Sequence, residues 1–135
     1  RLGLAYVVST ANLTGAEGGV FVIYTATSPE NEQLAREAIF NELQKLRDEP
    51  AEVEEVERAK NYLKGARLIA LQTSVGRARE HAANEIFGRG LNGTAEYLEG
   101  ISKITPEDVL NASRQHFTID RYCLGVVRGK PTVSK

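Results

Sequence analysis

Period-two alternation of apolar and polar positions opens the chain. Leu4, Tyr6, Val8 and Thr10 fall on one side and Ala5, Val7, Ser9 and Ala11 on the other, which predicts a β-strand from residue 2 to about residue 10. Residues 12–19 are rich in glycine and small polar residues and read as a hairpin loop. Residues 20–26 (VFVIYTA) are apolar on both faces, so a second strand is expected there, central in its sheet and covered on both sides. The period then changes to three and four. Ser28, Pro29 and Glu30 form a helix start, and Ala35, Ala38, Ile39, Leu43 and Leu46 recur at helical spacing as far as Pro50. A longer helix is expected over about 52–73, with Val56, Ala59, Leu63, Ala66, Ala70 and Thr73 as its stripe.

Ser74, Val75 and Gly76 interrupt that pattern, and further helices are expected over about 77–87 and 94–104. Tyr97, Leu98 and Ile101 face inward in the second of these. Thr105, Pro106, Glu107 and Asp108 form the clearest cap in the chain, opening a helix that carries Val109, Leu110, Ala112 and Phe117. Residues 122–127 (YCLGVV) repeat the two-sided apolar pattern and predict a third strand, followed by a polar tail from Gly129. Three strands are too few for so many amphipathic helices. The expected class is α+β, with helices packed on a mostly antiparallel sheet that lacks part of its N-terminal side.

The 135 residues suffice for one domain burying roughly two-thirds of its unfolded surface. Net charge is −1, with both signs dispersed, so no basic patch suits nucleic acid or an anionic membrane. No apolar run reaches the ~18 residues of a membrane-spanning helix. The chain has no methionine and opens on Arg1, which reads as an internal piece of a longer polypeptide. Cys123 stands alone in an apolar run, so it forms no internal disulfide and is expected in the core. The charges at Glu52, Glu54, Glu55 and Glu57, then Arg58, Lys60, Lys64 and Arg67, suit the helix dipole and read as a solvated face. Gly65 in that helix calls for a close approach by another element.

Catalytic chemistry is sparse. A hydrolytic zinc site takes three protein ligands, and only His81 and His116 are available; His81 and Glu85 share a helix face without an evident third ligand. No G-x-S-x-G elbow occurs, and the glycines of residues 15–19 match no phosphate-binding pattern. Three sequons (at Asn12, Asn92 and Asn111) have meaning only in a eukaryotic secretory chain. By its own residues the chain is not an enzyme. Tyr6 alone reads as a strand aromatic packed into a core.

Four segments in order change that reading: LGLAY at 2–6; GVFVIY at 19–24 running on to Ser28, Pro29 and Glu30; ERAKNYLKG at 57–65; and ITPEDV at 104–109. Together they resemble the second, non-metal module of the pitrilysin/insulinase family of zinc peptidases, near its processing-peptidase branch. The resemblance implies an inverted-zincin (mitochondrial-processing-peptidase-like) α+β module, with residues 1–135 as a single domain forming its C-terminal portion. It implies a homologous zinc-bearing module, on the same chain or a separate subunit, that carries H-x-x-E-H. There the metal activates water and the motif glutamate is the general base. This chain lacks H-x-x-E-H, so its cofactor is expected to be none and the zinc to lie in the complementary module.

The family's second module contributes an arginine and, seven positions later, a tyrosine in a context like GLAY. Tyr6 matches the tyrosine, and the resemblance implies that its phenol donates a hydrogen bond to the scissile carbonyl. The arginine would fall just before Arg1. One departure concerns stability only: the long helix begins after Pro50 and Ala51, where the family often has a serine or threonine cap. The expected partners are the zinc-bearing module and a peptide substrate, with a dimer possible, and residues 1–135 alone should be inactive. A catalytically inactive partner or scaffold subunit of the same family is the alternative, and an unrelated α+β interaction domain a third. The compartment stays open between bacterial cytoplasm and periplasm.

Overall fold

The computed structural model describes Gly3 and residues 5–15 and 17–129; the expectations placed on Leu2, Leu4, Ala16 and the tail 130–135 lie outside the described residues. Among the described residues two strands precede five helices: β1 (Val7–Thr14), β2 (Gly19–Ala26), α1 (Glu32–Asp48), α2 (Val53–Ala70), α3 (Ser74–Ile86), α4 (Gly93–Lys103) and α5 (Pro106–His116). The class is α+β and the sheet antiparallel, as the sequence pattern indicates. The chain divides into two units, one of residues up to 45 with those from 116 on, the other of residues 46–115.

In the first unit β1 and β2 form a hairpin whose register runs from Val7 opposite Ala26 to Thr14 opposite Gly19. The Gly15 N–H donates to the Gly18 carbonyl at 2.7 Å and closes the loop. A Cβ on Gly19 would stand 2.8 Å from the Leu13 carbonyl oxygen, which fixes glycine at that corner. Ser28 is extended and its side chain makes no capping bond. Pro29–Asn31 form a single 3-10 turn before α1, so Ser28 precedes that turn and does not cap α1 with its side chain as expected. Ala35 of α1 is buried, and the Phe21 and Phe117 rings lie 5.0 Å apart. Tyr122 meets Phe40 edge-on at 4.9 Å, and Arg128 grips the Glu32 carboxylate with two hydrogen bonds of 2.8 and 2.9 Å.

Three expectations fail here for one reason. Residues 122–127 form no ladder, β2 is not covered on both sides, and Cys123 is exposed. Among the described residues the sheet has only two strands. An apolar strand pattern forms a ladder only where a neighbouring strand pairs with it, and a residue is covered only where something packs on it.

The second unit packs four helices, with Val56 and Leu110 buried. Thr73 is the N-cap of α3, its Oγ1 accepting from the Gly76 N–H at 2.9 Å, so the helix starts three residues before the expected position. A Cβ on Gly76 would lie 1.9 Å from the Ala70 carbonyl oxygen, so this turn tolerates no side chain. Thr105 and Asp108 cap α5 reciprocally. The Asp108 N–H donates to Thr105 Oγ1 at 3.2 Å, and the Thr105 N–H donates to Asp108 Oδ2 at 2.8 Å. Gly65 departs from expectation, since nothing stands within 4 Å of the place its Cβ would take.

Candidate functional site around Tyr6

Tyr6 stands just before β1, where the ladder changes. The register adds to the same total at every pair and would place Tyr6 opposite Thr27. Instead the Tyr6 N–H donates to the Ala26 carbonyl at 2.8 Å, although Ala26 is the partner of Val7. Two residues of β1 thus face one of β2, which is a β-bulge. The extra residue shifts the alternation by one, so Tyr6 takes the side of Val7 and not that of Val8. This corrects the regular alternation read from the sequence. The Val8 side is also the side of Phe21, which meets Phe117. The bulge places Tyr6 on the Val7 side, and 81% of its surface is exposed. The packed-aromatic reading of Tyr6 does not hold in this hairpin.

The arrangement leaves an exposed phenol immediately before β1. No group of three His, Cys, Asp or Glu side chains among the described residues could hold a metal ion, and His81 and Glu85 are both exposed on α3. Hydrolytic zinc takes three protein ligands, and His81 with Glu85 supplies two at most. No helix among the described residues is long and apolar enough to cross a membrane.

Residues 1–63 match the family model described as the peptidase M16 inactive domain. Over those residues the chain is similar to the M16 peptidases. An "Uncharacterized zinc protease" of Rickettsia felis is 31% identical over 119 residues, 87% of this chain and 28% of that protein. A second, from Rickettsia bellii, is 27% identical over the same share of each chain. The "Uncharacterized zinc protease YmxG" of Bacillus subtilis is 26% identical over 125 residues, 93% of this chain and 30% of that protein. The chain thus spans under a third of the length of these relatives. The family and the metallopeptidase character of its members agree with the resemblance read from the four sequence segments.

One constellation was not legible as such. Arg67 of α2 donates to Glu80 of α3 at 2.5 Å, and Thr94 of α4 donates to the same Glu80 oxygen at 2.8 Å. The Asn84 amide, 2% exposed, donates to Thr94 Oγ1 at 3.2 Å, and the Arg67 guanidinium lies 4.8 Å over the Tyr97 ring. A Cβ on Gly93 would meet the Asn84 side chain at 2.8 Å, so glycine lets α4 approach α3 this closely. Lys60 is likewise only 8% exposed and paired with Glu57 at 2.6 Å. The charge run of α2 is therefore not wholly solvated. Long stems lie along apolar surface while their heads find partners. Charged and hydroxyl side chains at 67, 80 and 94 on successive helices were the only signal, and spacing alone does not show that they converge.

Proposed function

We propose that this chain is the C-terminal portion of the non-zinc, substrate-side module of an M16 endopeptidase, and that Tyr6 binds the peptide. Its phenol donates a hydrogen bond to the carbonyl oxygen of the bond to be cleaved. Such a donor contributes most when charge builds on that oxygen in the transition state, by about 3 kcal/mol for a well-placed group. The attacking water and the metal that activates it belong to the homologous partner module. The observation that carries the reading is the exposed phenol of Tyr6 at the bulge opposite Ala26. Bulges recur beside active sites because they re-aim one side chain without dismantling a strand.

The test is peptide cleavage by residues 1–135 in assembly with a zinc-bearing module, comparing Tyr6 with Tyr6→Phe. A loss in kcat supports the role. The description of the matched family model as an inactive domain favours a second reading, a partner or scaffold subunit without a catalytic group. In that case Tyr6→Phe leaves cleavage by the assembly unchanged.

A further inference from the structure

Asn92 is the one asparagine of the chain that is followed by glycine. It ends the loop between α3 and α4 and stands, exposed, as the N-cap of α4, with φ −87° and ψ −6°. A capping asparagine is ordinarily extended, with its side-chain oxygen on an amide of the first turn. Asn92 is not extended, and its side chain makes no capping bond. The next amide is weakly held as well. The Gly93 N–H donates to the Gly90 carbonyl at 3.3 Å, longer than such bonds usually are.

Beyond the Asn92–Gly93 peptide the structure is tight. Gly93 is buried, and a Cβ there would stand 2.8 Å from both the Arg89 Cβ and the Asn84 side chain. Thr94 follows at once, bonded to Glu80 at 2.8 Å and to Asn84 at 3.2 Å. An uncapped carboxamide thus adjoins a helix junction with no room for added main-chain atoms.

We propose that Asn92 is a site of deamidation, and that its isoaspartyl product releases α4 from α3. The Gly93 nitrogen gives up its proton to hydroxide and attacks Cγ of Asn92. A new N–Cγ bond forms, the Cγ–Nδ2 bond breaks, and the amide group takes up a proton from water and leaves as ammonia. The product is a five-membered succinimide. Water then opens the ring. Cleavage of the new N–Cγ bond gives aspartate, whereas cleavage of the original peptide C–N bond gives isoaspartate, whose main chain is one carbon longer. Nothing is oxidised or reduced. Glycine favours ring closure because no Cβ crowds the attacking nitrogen. Closure requires Cβ of Asn92 and the Gly93 nitrogen to eclipse one another, and at ψ −6° they do not, so the first turn of α4 opens first.

The two products differ in consequence. Aspartate at 92 leaves the main chain unchanged and puts a carboxylate at the positive end of α4. Isoaspartate inserts a carbon beside Gly93, where Arg89 and Asn84 leave no space. Gly93 is displaced, and Thr94 moves with it away from Glu80. The inference is independent of any role for Tyr6.

Incubation of the full chain in mildly alkaline buffer, followed by peptide mass mapping, tests it. Position 92 should gain one mass unit about 10-fold faster than any other asparagine, and faster still in urea, where α4 is open. In the fraction that an isoaspartyl methyltransferase labels at 92, the amides of Glu96 and Tyr97 should exchange with deuterium about 10-fold faster than in the fresh chain. Asn92→Ser keeps a capping residue without a carboxamide, so it should gain no mass at 92 and keep α4 protected. Asn92→Asp should keep α4 protected too, which assigns the loosening to the added carbon and not to the charge. Mass gain at 92 no faster than at the other asparagines overturns the site. Equal rates in buffer and urea overturn the part given to the first turn of α4. An isoaspartyl fraction as protected as the fresh chain, or an Asn92→Asp chain as loosened as that fraction, overturns the release.

Discussion

The Tyr6 amide and the Val7 position of β1 converge on one residue, Ala26, whose carbonyl accepts from Tyr6 at 2.8 Å. This single extra residue sets the phenol on the Val7 side of the hairpin, where regular alternation would have turned it to the Phe21 side, and it is 81% exposed. Replacing Ala26 with proline removes its N–H from a bonded pair and breaks the ladder at the bulge. The expected outcome is a hairpin frayed at that end, read as faster amide exchange at Val7 and Tyr24, with the helices of residues 46–115 intact by exchange.

Much of the helical part was legible because local signals govern it. Thr105 and Asp108 cap a helix with groups three residues apart, and the helix begins where that pattern places it. Tyr97, Leu98 and Ile101 are partly buried, as their spacing requires. The sheet was less legible, because strand burial depends on neighbours distant in sequence. The apolar runs at 20–26 and 122–127 state what each strand could bury, but not whether a neighbour is there to bury it. The bulge was illegible for a related reason: no glycine or proline marks it, and it is visible only from which carbonyl the Tyr6 amide reaches.

Two glycines in neighbouring helices predict opposite outcomes. Gly76→Ala forces a methyl against the Ala70 carbonyl and should destabilise the chain by about 2 kcal/mol or more. Gly65→Ala enters open space in a helix and should stabilise it by up to about 1 kcal/mol. Urea midpoints of the two variants check both signs.

The network joining α2, α3 and α4 predicts a marked asymmetry. Arg67→Met keeps the stem but leaves the nearly buried Glu80 carboxylate with Thr94 as its remaining donor, which should cost about 2 kcal/mol. The figure is below that of a fully buried pair because Arg67 is 30% exposed at its side chain. Combining Arg67→Met with Glu80→Gln should recover part of the loss, since no unpaired charge then remains. A double-mutant cycle in urea measures the coupling.

Stability in acid should depend on Asp108. The Thr105 hydroxyl, then the Thr105 N–H, hold the Asp108 carboxyl below its ordinary value of 3.8. The Arg128 guanidinium does the same for Glu32, ordinarily at 4.5. Both groups bind protons more readily in the unfolded chain than in the folded one. Their contribution is therefore present above the ordinary values and lost as pH falls through the depressed ones. Asp108→Asn retains an accepting oxygen for the cap but removes the titration. Its melting temperature should fall less steeply than that of the parent chain as pH drops below about 4.

The central claim concerns one hydroxyl group. Tyr6→Phe removes it from a residue exposed to solvent, so folding stability should change by no more than about 0.5 kcal/mol. With residues 1–135 assembled with a zinc-bearing module, kcat for peptide cleavage should fall about 100-fold, as for loss of one donor to a developing oxyanion. KM should change little, because the bond gains most of its strength in the transition state. An unchanged kcat in a normally folded Tyr6→Phe assembly would contradict the assignment of Tyr6 to the reaction.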